Sequence, residues 1–411
     1  MNINDILKNQ LDVIKPSAQE ILDISNKTKE VTDFLKKNIK KNKIKADVFV
    51  GGSMAKNTLI KKKKYDVDIF IRFDEKYDEE DMKRFLKKIV GKAKVIHGSR
   101  DYYSINKQCI DFEIVPSIKI KNPGNAVNIT DLSYFHVNYV EKAIGRNKKL
   151  SDEIRLAKGF AYYQDCYGAE SYINGFSGYA LELLIIHYKS FVNFIKAMSK
   201  IKSKLIIDIS KKYKGKDVLK ELNEAKIQGP IIVVDPTYKE RNATAALSYK
   251  TFLKFQKACK SFLKNPSSKF FSLENKEKKF EDIDKVIVKT NKQSGDIAGT
   301  KLKKFSNYFL EEAWKLFDIK KKDFDYKEDE NKGIIFIDAR PKKEIIFNGP
   351  PVKMKEALKK FRKEHKKIVI KKGRAYAIEK NQMDFKKFIR KFLKDKKKII
   401  ESMGINEVYL Q

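Results

Sequence analysis

Apolar and polar positions repeat with two different periods along this chain, and each change of period marks an element. Over 1–45, Leu, Ile and Val recur at three- and four-residue steps, which predicts helices broken near Pro16. The period then shortens to two, predicting strands at 46–50, 66–73 and 109–115, with a helix at 79–90. Such a mixture implies a small α/β unit ending near 140. From Ser151 the helical period returns. Ser151 is placed as an N-cap, Asp152 and Glu153 suit a first turn, and Leu156, Phe160 and Tyr163 form an apolar stripe. The run from Tyr179 to Met198 is apolar nearly all round, which predicts the buried helix of a central bundle.

That second region ends near 262, and Asn265-Pro266-Ser267-Ser268 has the composition of a boundary. Beyond it the pattern predicts a strand at 286–288, a helix over 302–317, strands at 333–338 and 344–347 and a helix over 353–366. A hairpin turning at Lys372-Gly373 and a last helix over 382–402 follow. The mixed charges between Lys320 and Lys332 read as an exposed loop. There is no internal repeat. The expected class is α/β (α+β), in three parts: 1–140, 141–262, and 263–411 with a helical tail.

Composition adds a partner. Of 411 residues, 90 are Lys or Arg against 54 Asp or Glu, a formal net charge of +36 that implies a polyanion. Hydrophobic content of 42% still supports a folded chain. Cys109, Cys166 and Cys259 are odd in number and widely spaced, so they read as reduced thiols, not disulfides or zinc ligands. No apolar run is long enough to span a membrane and no signal peptide is evident, so a soluble, cytoplasmic protein is expected.

The candidate chemistry lies in Gly51-Gly52-Ser53-Met54-Ala55-Lys56-Asn57-Thr58 and, just after it, Tyr65-Asp66-Val67-Asp68-Ile69-Phe70-Ile71. In a strand, Asp66 and Asp68 share one face while Val67, Ile69 and Ile71 take the other. Two like charges so placed repel unless a cation neutralises them, which makes the pair a candidate metal site. Gly52 permits close backbone approach to a ligand, and Ser53 adds a hydroxyl to a turn whose N–H groups favour anions. Asp111 and Glu113 repeat the alternation in Cys109-Ile110-Asp111-Phe112-Glu113-Ile114, so three or four carboxylates can converge.

The Gly-Ser turn, the Asp-x-Asp strand and a third acid on a later strand resemble the nucleotidyltransferase superfamily that includes DNA polymerase beta. Further segments narrow the resemblance: Tyr134-Phe135-His136, Arg155-Leu156-Ala157-Lys158-Gly159-Phe160, Tyr167-Gly168-Ala169-Glu170, Gly175-Phe176-Ser177-Gly178-Tyr179, and Val234-Asp235-Pro236 through Arg241-Asn242. In this order they are similar to the archaeal, class I CCA-adding tRNA nucleotidyltransferases, from the first helices to the C-terminal tail.

The resemblance implies a polymerase-beta-like catalytic domain, a helical nucleotide-recognition domain and a C-terminal body and tail that grip the acceptor arm of tRNA. It implies template-independent addition of CCA from CTP and ATP, two Mg2+ ions and a homodimer. Asp66 and Asp68 match the metal-binding pair. The register of the third ligand falls on Glu113, where the family has Asp, with Asp111 left as a supporting or substitute ligand. Ser53 and Lys56 match a nucleotide-binding Ser and Arg; a lysine supplies charge without the bidentate fork, which suits phosphates better than a base. His136, Lys158 and Tyr167 match further nucleotide contacts. Arg241 matches an arginine that faces the incoming base. Asp235 is either a base contact or the ion-pair partner of Arg241. Two alternatives stay open: an enzyme adding only adenylate to RNA or making oligoadenylate, and an inactive RNA-binding homologue.

Overall fold

The computed structural model describes residues 2–272, 276–291, 295–365 and 367–411. Lys366, the last residue of the helix predicted over 353–366, therefore lies outside the described residues. The chain forms two compact units, Met1–Ala169 with Ile173–Leu273, and Glu170–Tyr172 with Glu274–Gln411.

In the first unit, α1 (Ile3–Ile14) and α2 (Ala18–Lys41) are separated at Pro16, and Ser17 caps α2 in a reciprocal capping box with Glu20. A five-stranded sheet follows, built from β1 (Ala46–Val50), β2 (Tyr65–Phe73), β3 (Lys94–Ile96), β4 (Tyr102–Lys107) and β5 (Ile110–Ile118). Its order is β1-β2-β5-β4-β3, with β2 and β5 parallel at the centre. The one-turn helix α3 (Gly52–Ala55) joins β1 to the loop before β2, and α4 (Glu79–Val90) follows β2. Val67, Ile69, Ile71, Phe112 and Ile114 form one core with Val31 and Leu35 of α2 and Met82, Leu86 and Ile89 of α4. The alternate residues, including Asp66, Asp68, Asp111 and Glu113, consequently take the opposite face of β2 and β5.

A second core of the same unit gathers α5 (Ser133–Arg146), α6 (Lys149–Tyr163), α7 (Gly178–Tyr188) and α8 (Phe191–Lys200). The pair β6 (Leu205–Asp208) and β7 (Ile231–Val234) and the helix α9 (Val218–Glu221) lie between α8 and α10 (Tyr249–Lys264). Phe160 is the centre of the packing, with Phe191, Phe255, Phe262 and Phe271 rings at 5.5, 5.6, 5.7 and 5.6 Å.

Two expectations are corrected in this unit. The helix predicted over 179–198 is two helices: Lys189 takes φ +68°, ending α7, and the Ser190 hydroxyl accepts from the Asn193 N–H at 3.2 Å to start α8. Ser151 does not cap α6, which starts two residues earlier; its hydroxyl instead donates to the Lys148 carbonyl at 3.1 Å.

The second unit carries a four-stranded antiparallel sheet in the order Ile405–Leu410, Asp284–Thr290, Lys332–Pro341, Phe317–Lys327. Helices Gly295–Leu316 and Phe385–Asp395 cover it through Phe305, Phe309, Phe388 and Phe392. A three-stranded sheet contains the predicted hairpin, Ile368–Lys371 with Arg374–Lys380, and Glu344–Pro351. The loop predicted over 320–332 is mostly strand: Phe317–Lys327 is the sheet's edge, where lysines tolerate strand geometry because one side faces no further strand. The helix predicted over 382–402 breaks into Phe385–Asp395 and Lys397–Ser402. Among the described residues, no helix is long and apolar enough to cross a membrane, and Cys109, Cys166 and Cys259 are free.

Candidate active site

The parallel pairing of β2 with β5 sets Asp66 beside Asp111 and Asp68 beside Glu113. Four carboxylates thus occupy adjacent positions on one sheet face. Glycine at position 52 brings the turn after β1 directly against them: Gly52 has φ +61°, and a Cβ there would overlap the Asp68 carboxylate. The Ser53 carbonyl accepts from the Thr58 N–H at 2.9 Å, closing the loop. Arg155, buried in α6, secures the outgoing chain by donating to the Leu59 carbonyl at 3.0 Å and to Asn57 Oδ1 at 2.7 Å.

The environments of the acids differ. Asp66 is exposed and pairs with Lys62 at 3.2 Å. Asp68 is half-buried, and loss of water raises its pKa above the usual carboxylate range. Burial, then the charges of Asp68 and Asp66, push Glu113 up to about 8, against a Tyr102 hydroxyl at 3.4 Å. Asp111 accepts from the Asn106 amide at 2.5 Å. Mutual repulsion of this kind is what a divalent cation relieves, so Asp66, Asp68 and Glu113 suit one by donor chemistry. Among the described residues, no three Asp, Glu, His or Cys side chains already surround a common point.

A cleft of about 260 Å³ lies over this face, lined by Gly52, Ser53, Lys56, Thr58, Asp66 and Asp68 from the sheet side. Lys158, Tyr167, Gly178, Tyr179 and Glu182 line the helical side. Lys56 and Lys158 are buried and share the Glu182 carboxylate, at 2.6 and 2.7 Å. Burial alone would raise the Glu182 pKa, but Lys158 and Lys56 outweigh it and hold the carboxyl down at about 2. Burial pulls Lys158 down to about 8, partly offset by Glu182. Gly178 leaves room for its neighbours: a Cβ there would stand 3.0 Å from the Tyr167 hydroxyl and 3.7 Å from Lys158 Nζ.

Tyr179 joins the cleft to a second buried cluster. His136 of α5 stacks on its ring at 4.2 Å, and the Arg241 guanidinium lies 5.4 Å from the ring centre. Asp235, fully buried, accepts at Oδ1 from the Tyr179 hydroxyl and from both the Thr237 N–H and hydroxyl, at 3.1, 2.8 and 2.7 Å. Its Oδ2 accepts from Arg241 at 2.8 Å. His136 Nε2 approaches the same oxygen at 2.9 Å. Despite burial, which favours the neutral acid, His136 and Arg241 hold the Asp235 carboxyl well below its ordinary pKa.

The chain is 33% identical over 381 residues to the CCA-adding enzyme of Nanoarchaeum equitans, an alignment covering 89% of this chain and 92% of that one. It belongs to the CCA-adding enzyme family. The CCA-adding enzyme of Methanocaldococcus jannaschii is also 33% identical, over 69% of this chain and 64% of its own. Two domain families match in parts: the tRNA nucleotidyltransferase second domain at residues 152–272, and the Second Messenger Oligonucleotide or Dinucleotide Synthetase domain at 1–134. A solved structure of the Cid1 poly(U) polymerase, described with Mg 3'-dATP bound, shares the fold at TM-score 0.52 and 12% identity. It is matched over 66% of this chain and 98% of that one.

In this CCA-adding family member, every residue singled out from sequence falls into one of the two clusters or the carboxylate face. Asp66, Asp68, Asp111 and Glu113 share the sheet face; Gly52, Ser53, Lys56, Lys158 and Tyr167 line the cleft or its wall; His136, Asp235 and Arg241 meet around Tyr179. Glu182, Thr58 and Tyr179 join the site without having been expected there from the sequence pattern. Glu182 had a readable signal, since one acid in an apolar helix must be paired when buried.

Proposed function

We propose that this chain builds and repairs the 3′-terminal CCA of tRNA from CTP and ATP, without a template, releasing pyrophosphate. The observation that carries this reading is the register of Asp66 with Asp111 and Asp68 with Glu113 beneath the Gly52-Ser53 turn. Asp66, Asp68 and Glu113 would hold divalent cations, Mg2+ by the family resemblance. When bound, such ions lower the pKa of an attacking 3′-hydroxyl and neutralise charge on the triphosphate.

The chain's own groups supply the remainder. The turn N–H groups and the Ser53 hydroxyl bind phosphate oxygens, and Lys56 and Lys158 offset the triphosphate charge. Tyr167 and Tyr179 bound the nucleotide's flank. Arg241 presents donors to the acceptors shared by cytosine and adenine. Asp235 acts by orienting that guanidinium, because its oxygens are already engaged by Thr237, Tyr179 and Arg241. On this reading 1–140 is catalytic, 141–262 recognises the nucleotide and 263–411 grips the tRNA acceptor arm. The setting is a cytoplasmic homodimer.

Extension of a tRNA ending at the discriminator base, with labelled CTP and ATP and magnesium, tests the reading. Ordered addition of C, C and A is expected. The match of 1–134 to a second-messenger synthetase domain gives the adenylate-only alternative its support. Incorporation of A alone, or oligoadenylate made without tRNA, would establish that alternative.

With a formal charge of +36, tRNA binding should also weaken steeply with salt. We expect the association constant to fall by more than about tenfold between roughly 50 and 200 mM monovalent salt in filter-binding titrations. A constant that ignores salt would contradict phosphate-led binding.

A further inference from the structure

Helix α7 sets a single carboxylate, Glu182, into the apolar run Ala180–Ile186 and buries it completely. Its partners come from two other segments. Lys56 and Thr58 follow α3, and Lys158 projects from α6. Glu182 Oε2 meets Lys56 Nζ at 2.6 Å, while Oε1 accepts from Lys158 Nζ at 2.7 Å and from the Thr58 hydroxyl at 3.0 Å. Lys158 donates in turn to Thr58 Oγ1 at 2.8 Å. Stripping water from three charges is costly, and apolar side chains of similar volume would fill such a site with less penalty. Stability alone therefore does not account for the cluster. Its location does: all four side chains line the same cleft as Gly52, Ser53 and Asp68.

We propose that Glu182 is a positioning residue that holds the Lys56 and Lys158 ammonium groups together as a preassembled clamp for the triphosphate of the incoming nucleotide. The proposal rests on the reading of CTP and ATP as substrates. A lysine ends in a point charge on a flexible stem, and two of them in one dry pocket repel. One shared carboxylate fixes both heads and leaves the trio with a single net positive charge. An anionic chain entering the cleft meets that charge already oriented, without the cost of ordering two side chains on binding. Lys62, Asp66 and Asp68 face the same space and set the remaining field.

Calorimetric titration of the full-length chain with CTP and with CMP tests the clamp, since CMP lacks the β- and γ-phosphates. Glu182→Gln is expected to weaken CTP binding by at least about tenfold while CMP changes by less than about twofold. The pH profile separates this role from general damage. Glu182 raises the Lys158 pKa, which burial holds at about 8, so the variant should lose CTP affinity from a lower pH than the wild type. Its defect should be wider near pH 8.5 than near pH 6. Thr58→Val keeps all three charges and removes only the bridging hydroxyl, so a loss of about threefold for CTP and none for CMP is expected; it decides the matter if the Gln variant does not fold. CTP affinity within about twofold of wild type in folded Glu182→Gln, equal losses of CTP and CMP in either folded variant, or a pH-independent defect would each overturn the clamp. Wild-type binding of CTP without CCA addition would overturn the substrate reading and leave the clamp standing on the same titrations.

Discussion

Asp68→Asn is expected to lower C and A incorporation by at least about a thousandfold at saturating substrates, while tRNA affinity stays within about twofold of wild type. The substitution keeps the shape that packs against Gly52, so the turn and β2 should survive, and only charge is lost. That charge sits at the centre of the site. Glu113 stands beside it across the ladder, Asp66 two residues away on the same face, and Ser53 and both lysines line the same cleft. Binding of tRNA is assigned to basic surfaces elsewhere, whose phosphate contacts do not depend on this carboxylate. Single-turnover extension assays with filter binding on the same preparation read both quantities. Near-normal turnover would remove the carboxylate-held cation from the mechanism, and loss of tRNA binding in parallel would show that Asp68 supports the fold.

The strands that carry this site were readable because one of their faces must be apolar. Val67, Ile69, Phe112 and Ile114 pack against α2 and α4, and a one-residue slip would drive the acids into that core. Periodicity therefore located β2 and β5 to within about three residues at each end. It did not reveal that the two strands are parallel neighbours, because the choice of partner belongs to tertiary packing. The strands β3 and β4 escaped for a local reason: Lys94–Ile96 is too short to alternate, and Ser104, Asn106 and Lys107 carry little apolar signal.

The break between α7 and α8 is hidden in the sequence because apolar residues continue on both sides of Lys189 and the Ser190 cap stands alone among them. In the second unit, the charged stretch before Lys327 read as loop because side chains suggested water on all sides. The backbone ladder to Lys332–Pro341 nonetheless makes it a strand. In the Asp235 cluster, the ion pair with Arg241 was one of the two sequence readings and forms at 2.8 Å, whereas the link to His136 was illegible. His136 lies about a hundred residues before Asp235, and only the packing of α5 against Tyr179 brings them together.

Glu113→Gln should lower turnover by more than about a hundredfold, whereas Asp111→Asn should cost less than about tenfold. Both acids share a strand face, so the alternation alone leaves each able to serve as third ligand, while the register of the family resemblance favours Glu113. Their surroundings separate them. Glu113 is the ladder neighbour of Asp68, the acid that the Gly52 turn touches; it loses water on burial and accepts from the Tyr102 hydroxyl at 3.4 Å. Asp111 is the neighbour of the exposed Asp66, and Asn106 already donates to it at 2.5 Å. An acid so engaged is suited to orienting a neighbour, and its removal should be felt as a modest loss. Glutamate carries one methylene more than aspartate, which lengthens the reach from β5 toward Asp68, its ladder neighbour, without changing the donor atoms. Glu113→Asp should therefore recover more turnover than Glu113→Gln, because it restores charge at the cost of reach alone. Rates measured for the three variants at saturating CTP decide the assignment. A reversed order would give the ligand role to Asp111, and small losses in all three would move the third carboxylate off β5 altogether.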